Sequence, residues 1–113
     1  MSEQKHTPGP WMVDPDHPRD ISPADDLRLG VASICNADNI NGGWVFGEAS
    51  KANASLVAAA PDLLQWLLAL ECDINTMAYC YDKKPENFCR AMAVAKENAI
   101  HARAAIAKAR GQS

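Results

Sequence analysis

SKANASLVAAAPDLLQWLLALECDINTMAYCY, residues 50–81, is the stretch on which the fold turns. Within it Leu56, Ala60, Leu63, Leu67, Leu70, Ile74, Met77 and Tyr81 recur in alternating steps of four and three. That period is the seam of an α-helix packed lengthwise on another helix. Val57, Leu64 and Leu68 widen the stripe, and Leu64, Trp66 and Leu68 lie beyond the seam. A stripe of that width predicts a second covered surface, hence a homo-oligomer built through helices. Ser50 is placed as an N-cap for a helix over residues 51–60. Pro61 has no amide proton, so it either kinks one helix or opens a second at its first turn. Asp62 suits the positive end of a helix beginning there, and the helix is expected to run to about Tyr81.

On the C-terminal side, Asp82-Lys83-Lys84 is a polar connection and Pro85 is placed to begin a further helix. Phe88, Met92, Ala95, Ala99, Ala102, Ile106 and Ala109 repeat the four-and-three rhythm, mostly with alanine, so a partner backbone can approach closely. Gly111 after Arg110 is a helix stop. The short connection makes the two helices antiparallel neighbours.

Working toward the N-terminus, the period changes. Trp44-Val45-Phe46 reads as a short strand, and Asn36–Gly43 as a turn-rich connection. Leu27–Cys35 alternates in part and is the clearest strand. Residues 14–26, DPDHPRDISPADD, hold three prolines and five aspartates and read as a loop or edge connection. Trp11–Val13 follows the turn Thr7-Pro8-Gly9-Pro10 as a first strand. Residues 1–8 are polar, aperiodic and expected to be mobile. The expected fold is α+β and a single domain over 1–113, with a β-rich part at 9–47 and a helical hairpin at 50–110. The β part is an antiparallel meander of about three short strands.

Composition narrows the function. The chain has 113 residues, 48% hydrophobic and 22% charged, ordinary for one globular domain. A net charge of −3 argues against bulk nucleic-acid binding. The longest apolar run, Leu63–Leu70, is broken by Gln65 and too short to span a bilayer. With no signal-peptide pattern at MSEQKHTPGPW, the expectation is a soluble, cytoplasmic protein. Cys35, Cys72, Cys80 and Cys89 lack metal-ligand spacing and read as reduced, mostly buried thiols, with Cys80 and Cys89 the pair to test for a bridge.

No catalytic constellation emerges. Nucleophile-elbow, zinc-protease, P-loop and dinucleotide motifs are absent. His6 and His17 lie in polar, proline-rich segments, and His101 is a lone helical histidine. Asp25 and Asp26 sit in a loop. Asp14, Asp16 and Asp20 form a loose acidic cluster without the spacing of a calcium loop. The expectation is no enzyme, no metal and no cofactor.

A binding site is better supplied. Folding the hairpin about residues 83–84 brings Arg103, Lys108 and Arg110 toward residues 51–64, where one or two helix N-termini lie. Cations beside helix N-termini are the parts of an anion site, and Trp11, Trp44 and Phe46 supply stacking surfaces. Against this, cations at a helix C-terminus also complement the dipole while solvated, Asp62 can pair with one of them, and tryptophans on small sheets commonly serve the core.

The strings HTPGPW at 6–11, NASLVAAAPDLL at 53–64 and AIAKARG at 105–111 resemble a widespread group of small phage and prophage proteins. Residues 14–45 take no part in the resemblance. The group's layout, a small antiparallel sheet followed by two helices, is similar to that of the phage Thoeris anti-defence sponge proteins. Those are oligomers that sequester cyclic nucleotide signals, such as cyclic ADP-ribose isomers, without cleaving them. The layout implies phosphate contacts from Arg103 and Arg110 beside Lys108, base stacking by Trp11 or Trp44, and a polar edge read by Asn53. It implies action in the host bacterial cell on a small anionic nucleotide ligand. The other reading is an inhibitor of a host defence or regulatory protein, with the acidic segment 14–26 facing a basic partner.

Overall fold

The computed structural model describes residues 5–112 and has the expected α+β architecture. Of the N-terminal segment expected to be mobile, residues 1–4 lie outside the described part. His6 and Thr7 are half-buried, with the Trp11 indole N–H donating to the Thr7 carbonyl at 3.1 Å.

Three strands, β1 (Trp11–Asp14), β2 (His17–Pro23) and β3 (Ala32–Ser33), form an antiparallel meander in the order β1-β2-β3. Val13 pairs with Ile21, and a register shift lies between Val13 and Asp14. The middle strand lies within the segment expected to be a loop. Its prolines are tolerated because Pro18 lies near one end and Pro23 is the last residue, while β3 pairs only with Asp20 and Ile21.

Conversely, Leu27–Cys35 contributes only Ala32–Ser33 to the sheet. The Asp26 carboxylate accepts the Arg28 backbone N–H at 3.1 Å, and Leu29 N–H closes on the Asp26 carbonyl at 3.2 Å. This aspartate-led turn wins over the alternation, and Leu27 and Leu29 stay exposed.

A separate hairpin joins β4 (Asp38–Ile40) to β5 (Gly43–Val45). Asn41 and Gly42 form its two-residue turn, with φ of 53° and 82°. Positive φ at both positions is the Asn-Gly signature of a tight hairpin turn. The third expected strand is therefore real but sits outside the main sheet.

Helix α1 (Glu48–Ala58) follows Gly47, so Ser50 is not the cap but a fully buried residue of the first turn. The cap comes from β4. Asp38 Oδ1 accepts from Gly47 N and Ser50 N, both at 2.9 Å, and from Ser50 Oγ at 2.7 Å, while Oδ2 accepts from Ala49 N at 2.8 Å. The Ser50 hydroxyl in turn accepts Ala37 N–H at 2.9 Å. The core sits between this helix and the meander: Ile21, Ala54 and Ala58 are buried, with Trp11, Val13, Ala32, Ile34 and Val57 packed around them.

Pro61 is the second residue of α2 (Ala60–Lys83). It separates two helices rather than kinking one, and they are bent by 50°. A 3₁₀ turn at Pro85–Asn87 leads into α3 (Phe88–Ala109). The α2–α3 hairpin projects from the sheet: the molecule measures 61 × 30 × 21 Å with a radius of gyration of 18.3 Å, against about 13 Å for a compact chain of this length.

The seam between α2 and α3 runs through Asp73, Cys80, Ala91 and Ala105, all buried, with Asn98 Nδ2 donating to Asp73 Oδ2 at 2.9 Å. Trp66 stacks on His101 with ring centroids 4.6 Å apart. The leucine-rich seam expected on α2 is displaced from this contact: Leu67, Ile74 and Tyr81 are 68%, 65% and 73% exposed. Two stripes of the same period run side by side on α2. The one carrying Asp73 turns inward, where Asn98 satisfies the carboxylate and small alanines let the backbones approach. Among the described residues no single helix is long and apolar enough to cross a membrane; α1 and α2 together pass by length and composition but are bent at their junction.

Candidate functional site

Pro8-Gly9-Pro10 lies across the first turns of α2. A Cβ on Gly9 would come within 2.8 Å of Pro61 Cβ and 2.9 Å of its Cγ. Glycine is therefore required for the backbone to rest on the Pro61 ring. Beside this contact, Lys108 Nζ donates to Asp62 Oδ2 and to the Trp11 carbonyl, both at 2.9 Å. One ammonium thus ties together the ends of three elements distant in sequence. HTPGPW, NASLVAAAPDLL and AIAKARG meet at this junction. Replacing Lys108 by Met should cost about 1 kcal/mol, the net value of a partly exposed charged hydrogen-bond pair, seen as a lower midpoint in urea unfolding.

An open groove with a volume of about 920 Å³ adjoins the junction, bounded by residues 5–10 on one side and the start of α2 on the other. Pro8, Pro10, Pro61, Leu64, Trp66 and Leu68 provide its apolar walls, and Lys5, His6, Asp62 and Gln65 its polar groups. The stacking of Trp66 on His101, at an interplanar angle of 12°, fixes one wall. Asp62 is answered by Lys108, which leaves Lys5 as the unanswered charge among the described residues lining the groove.

The residues expected to form a site are only partly brought together. Trp11 and Lys108 meet, but Lys108 is engaged with Asp62 and Trp11 packs against the core. Trp44 is 63% exposed on the separate hairpin. Arg103 and Arg110 are exposed on and just beyond α3, Asn53 is exposed on α1, and none of the three lines the groove. Phe46 lies beneath the Arg19 guanidinium, 5.2 Å from its ring centroid. In the acidic segment, Asp14 is buried and accepts Asp16 N–H at 2.9 Å, so it is part of a turn. All four cysteines are free, but they are not mostly buried as expected: Cys80 lies in the α2–α3 seam, whereas Cys35, Cys72 and Cys89 are exposed. The described residues hold no group of His, Cys, Asp and Glu able to take a metal ion.

Sequence reasoning missed the groove because its walls come from strings read as a turn and as a helix start. The signal was there in the two prolines of TPGP and in Pro61: rigid, apolar and without amide donors, they line one groove and offer no backbone ladder to close it.

Searches of curated proteins and of solved structures give no match. A family model does match, over residues 1–113. The chain belongs to that phage protein family, the one described as Salmonella phage P22 protein Y8K6.

Proposed function

We propose that this is a phage accessory protein with an anti-defence role that acts by binding, holding a small anionic ligand of the cyclic nucleotide class and keeping it chemically unchanged. The observation that carries this reading is the groove itself. Its volume of about 920 Å³ lies within the usual range for small-molecule sites, and its makeup, apolar walls with a few convergent polar groups, is that of such sites. Proline, leucine and tryptophan surfaces suit the faces of a base, and the Lys5 ammonium suits a phosphate. This moves the expected site from the arginine-bearing end of α3 to the start of α2.

A thermal-shift screen against cyclic di- and trinucleotides and cyclic ADP-ribose isomers tests it. A ligand at about 100 times its dissociation constant adds roughly 2.7 kcal/mol, a shift on the order of 10 °C for a domain of this size. Leu68→Glu, which puts a carboxylate on the groove wall, should abolish the shift, while Arg103→Ala should leave it in place. No shift with any ligand overturns the reading and favours inhibition of a host protein.

A further inference from the structure

The projecting hairpin has two broad faces. One carries Gln65, Thr76, Arg90, Glu97 and Lys108 by helical spacing, and Lys108 reaches the sheet from it. The other carries Leu67, Leu70, Ile74, Met77 and Tyr81 of α2 beside Met92, Ala95, Ala99 and Ile106 of α3. The edge-on contact of Tyr81 with Phe88, at 6.0 Å between centroids, aligns the two stripes on one side. No Asp, Glu, Lys or Arg falls within either stripe, and among the described residues nothing covers Leu67, Ile74 or Tyr81.

We propose that a second copy of this chain closes this face. The two hairpins stack into an antiparallel four-helix bundle, with α2 of each copy lying over α3 of the other. Charge, side-chain size and area each select that occupant. The outer edge of α2 is acidic, with Glu71 and Asp82, and the outer edge of α3 is basic, with Lys96, Arg103 and Arg110, all exposed. A two-fold axis parallel to the helices lays each acidic edge along a basic one. The Asp73–Asn98 contact sets the level of the two helices, so Glu71 falls between the partner's Lys96 and the partner's Arg103. A two-fold axis across the helices would instead set like charges together.

Size agrees in the middle of the face: Ile74 comes level with the partner's Ala95 and the partner's Ala99, a large side chain of α2 against small ones of α3, while Met92 and Ile106 lie toward its ends. A 24-residue helix is roughly 36 Å long and a helix pair roughly 20 Å wide. The face therefore offers about 700 Å² per chain, about 1,400 Å² in total, the size of a stable specific interface. The inference is independent of the ligand reading.

Sedimentation equilibrium of the full chain at about 100 µM, where a micromolar dimer is mostly assembled, should give twice the 12.2 kDa of one chain. Ile74→Asp should give the single-chain mass with an unchanged helical circular-dichroism spectrum, because Ile74 is exposed in the single chain. Glu71→Lys should weaken the dimer about tenfold, since the change occurs twice in a symmetric interface, and Arg103→Glu added to it should recover much of the loss. A wild-type mass of one chain overturns the proposal, including one in which the face is found to capture another protein instead. So does a dimer that survives Ile74→Asp. A dimer indifferent to Glu71→Lys, or not recovered by the second change, overturns the α2-over-α3 arrangement.

Discussion

Ile21→Ala is expected to destabilise the protein by about 3 kcal/mol and to lower its melting temperature on the order of 10 °C. Ile21 is fully buried and is the largest side chain of a core otherwise made from Ala54 and Ala58. The alanines bring α1 close to the meander, so the isoleucine fills the space between them. Trp11, Val13 and Ile34 surround the same point from the strands and cannot all follow the lost atoms, which leaves a cavity. Leu27→Ala, which removes the same three carbons at an exposed residue of the neighbouring turn, should shift stability by no more than about 0.5 kcal/mol. Urea unfolding of both variants checks the contrast.

Asp38→Ala should lower the melting temperature by several degrees, and Asp38→Asn by less. The carboxylate takes four hydrogen bonds from the start of α1 and fixes the β4–β5 hairpin to that helix. The alanine variant strands three backbone donors and the Ser50 hydroxyl; the amide keeps one acceptor oxygen but loses the charge that complements the helix end. The Ser50 hydroxyl, then the backbone N–H groups of Ala49 and Ser50, hold the Asp38 carboxyl at about 2, below its ordinary 3.8. A depressed folded-state value means that the ionised form is favoured by folding. Its contribution is therefore fully present above pH 3.8 and is lost as pH falls through about 2. Melting temperatures measured from pH 5 down to pH 2 should fall more steeply for the wild type than for Asp38→Asn. Parallel curves would show that Asp38 plays no part in acid unfolding.

The helical half was legible because its signal is periodic over many residues. Alternating steps of four and three in residues 56–109 announced two antiparallel helices, and Pro85 and Gly111 marked their bounds. Periodicity names a stripe but not its partner. Two stripes of equal period coexist on α2, and which one turns inward depends on Asp73 finding Asn98 across 25 residues. That pairing is invisible to local pattern.

The β half was less legible because its strands are short and held by side-chain contacts. Pro18 and Pro23 made β2 look like a loop, although both fall where the sheet needs no amide donor. The Asn41-Gly42 pair was the one strong hairpin signal in residues 36–45. Ser50 looked like a cap by type and position, but the charged acceptor Asp38, far along the chain, takes that role and draws Ser50 into the core.

The candidate site was legible in its parts and not in its assembly. Lys108 and Trp11 do meet, but the ammonium is spent on Asp62 and on the Trp11 carbonyl, leaving structure where an anion contact was expected. The groove depends on Pro8, Pro10 and Pro61 coming together from residues more than 50 positions apart.

Ligand holding without turnover is tested most directly by equilibrium dialysis of the wild-type protein with cyclic ADP-ribose isomers and cyclic dinucleotides, followed by denaturation and chemical identification of what is released. One of these compounds should be retained inside the membrane in proportion to protein and return unaltered, with retention lost in Leu68→Glu. Free passage of every compound, or release of a converted product, would contradict it.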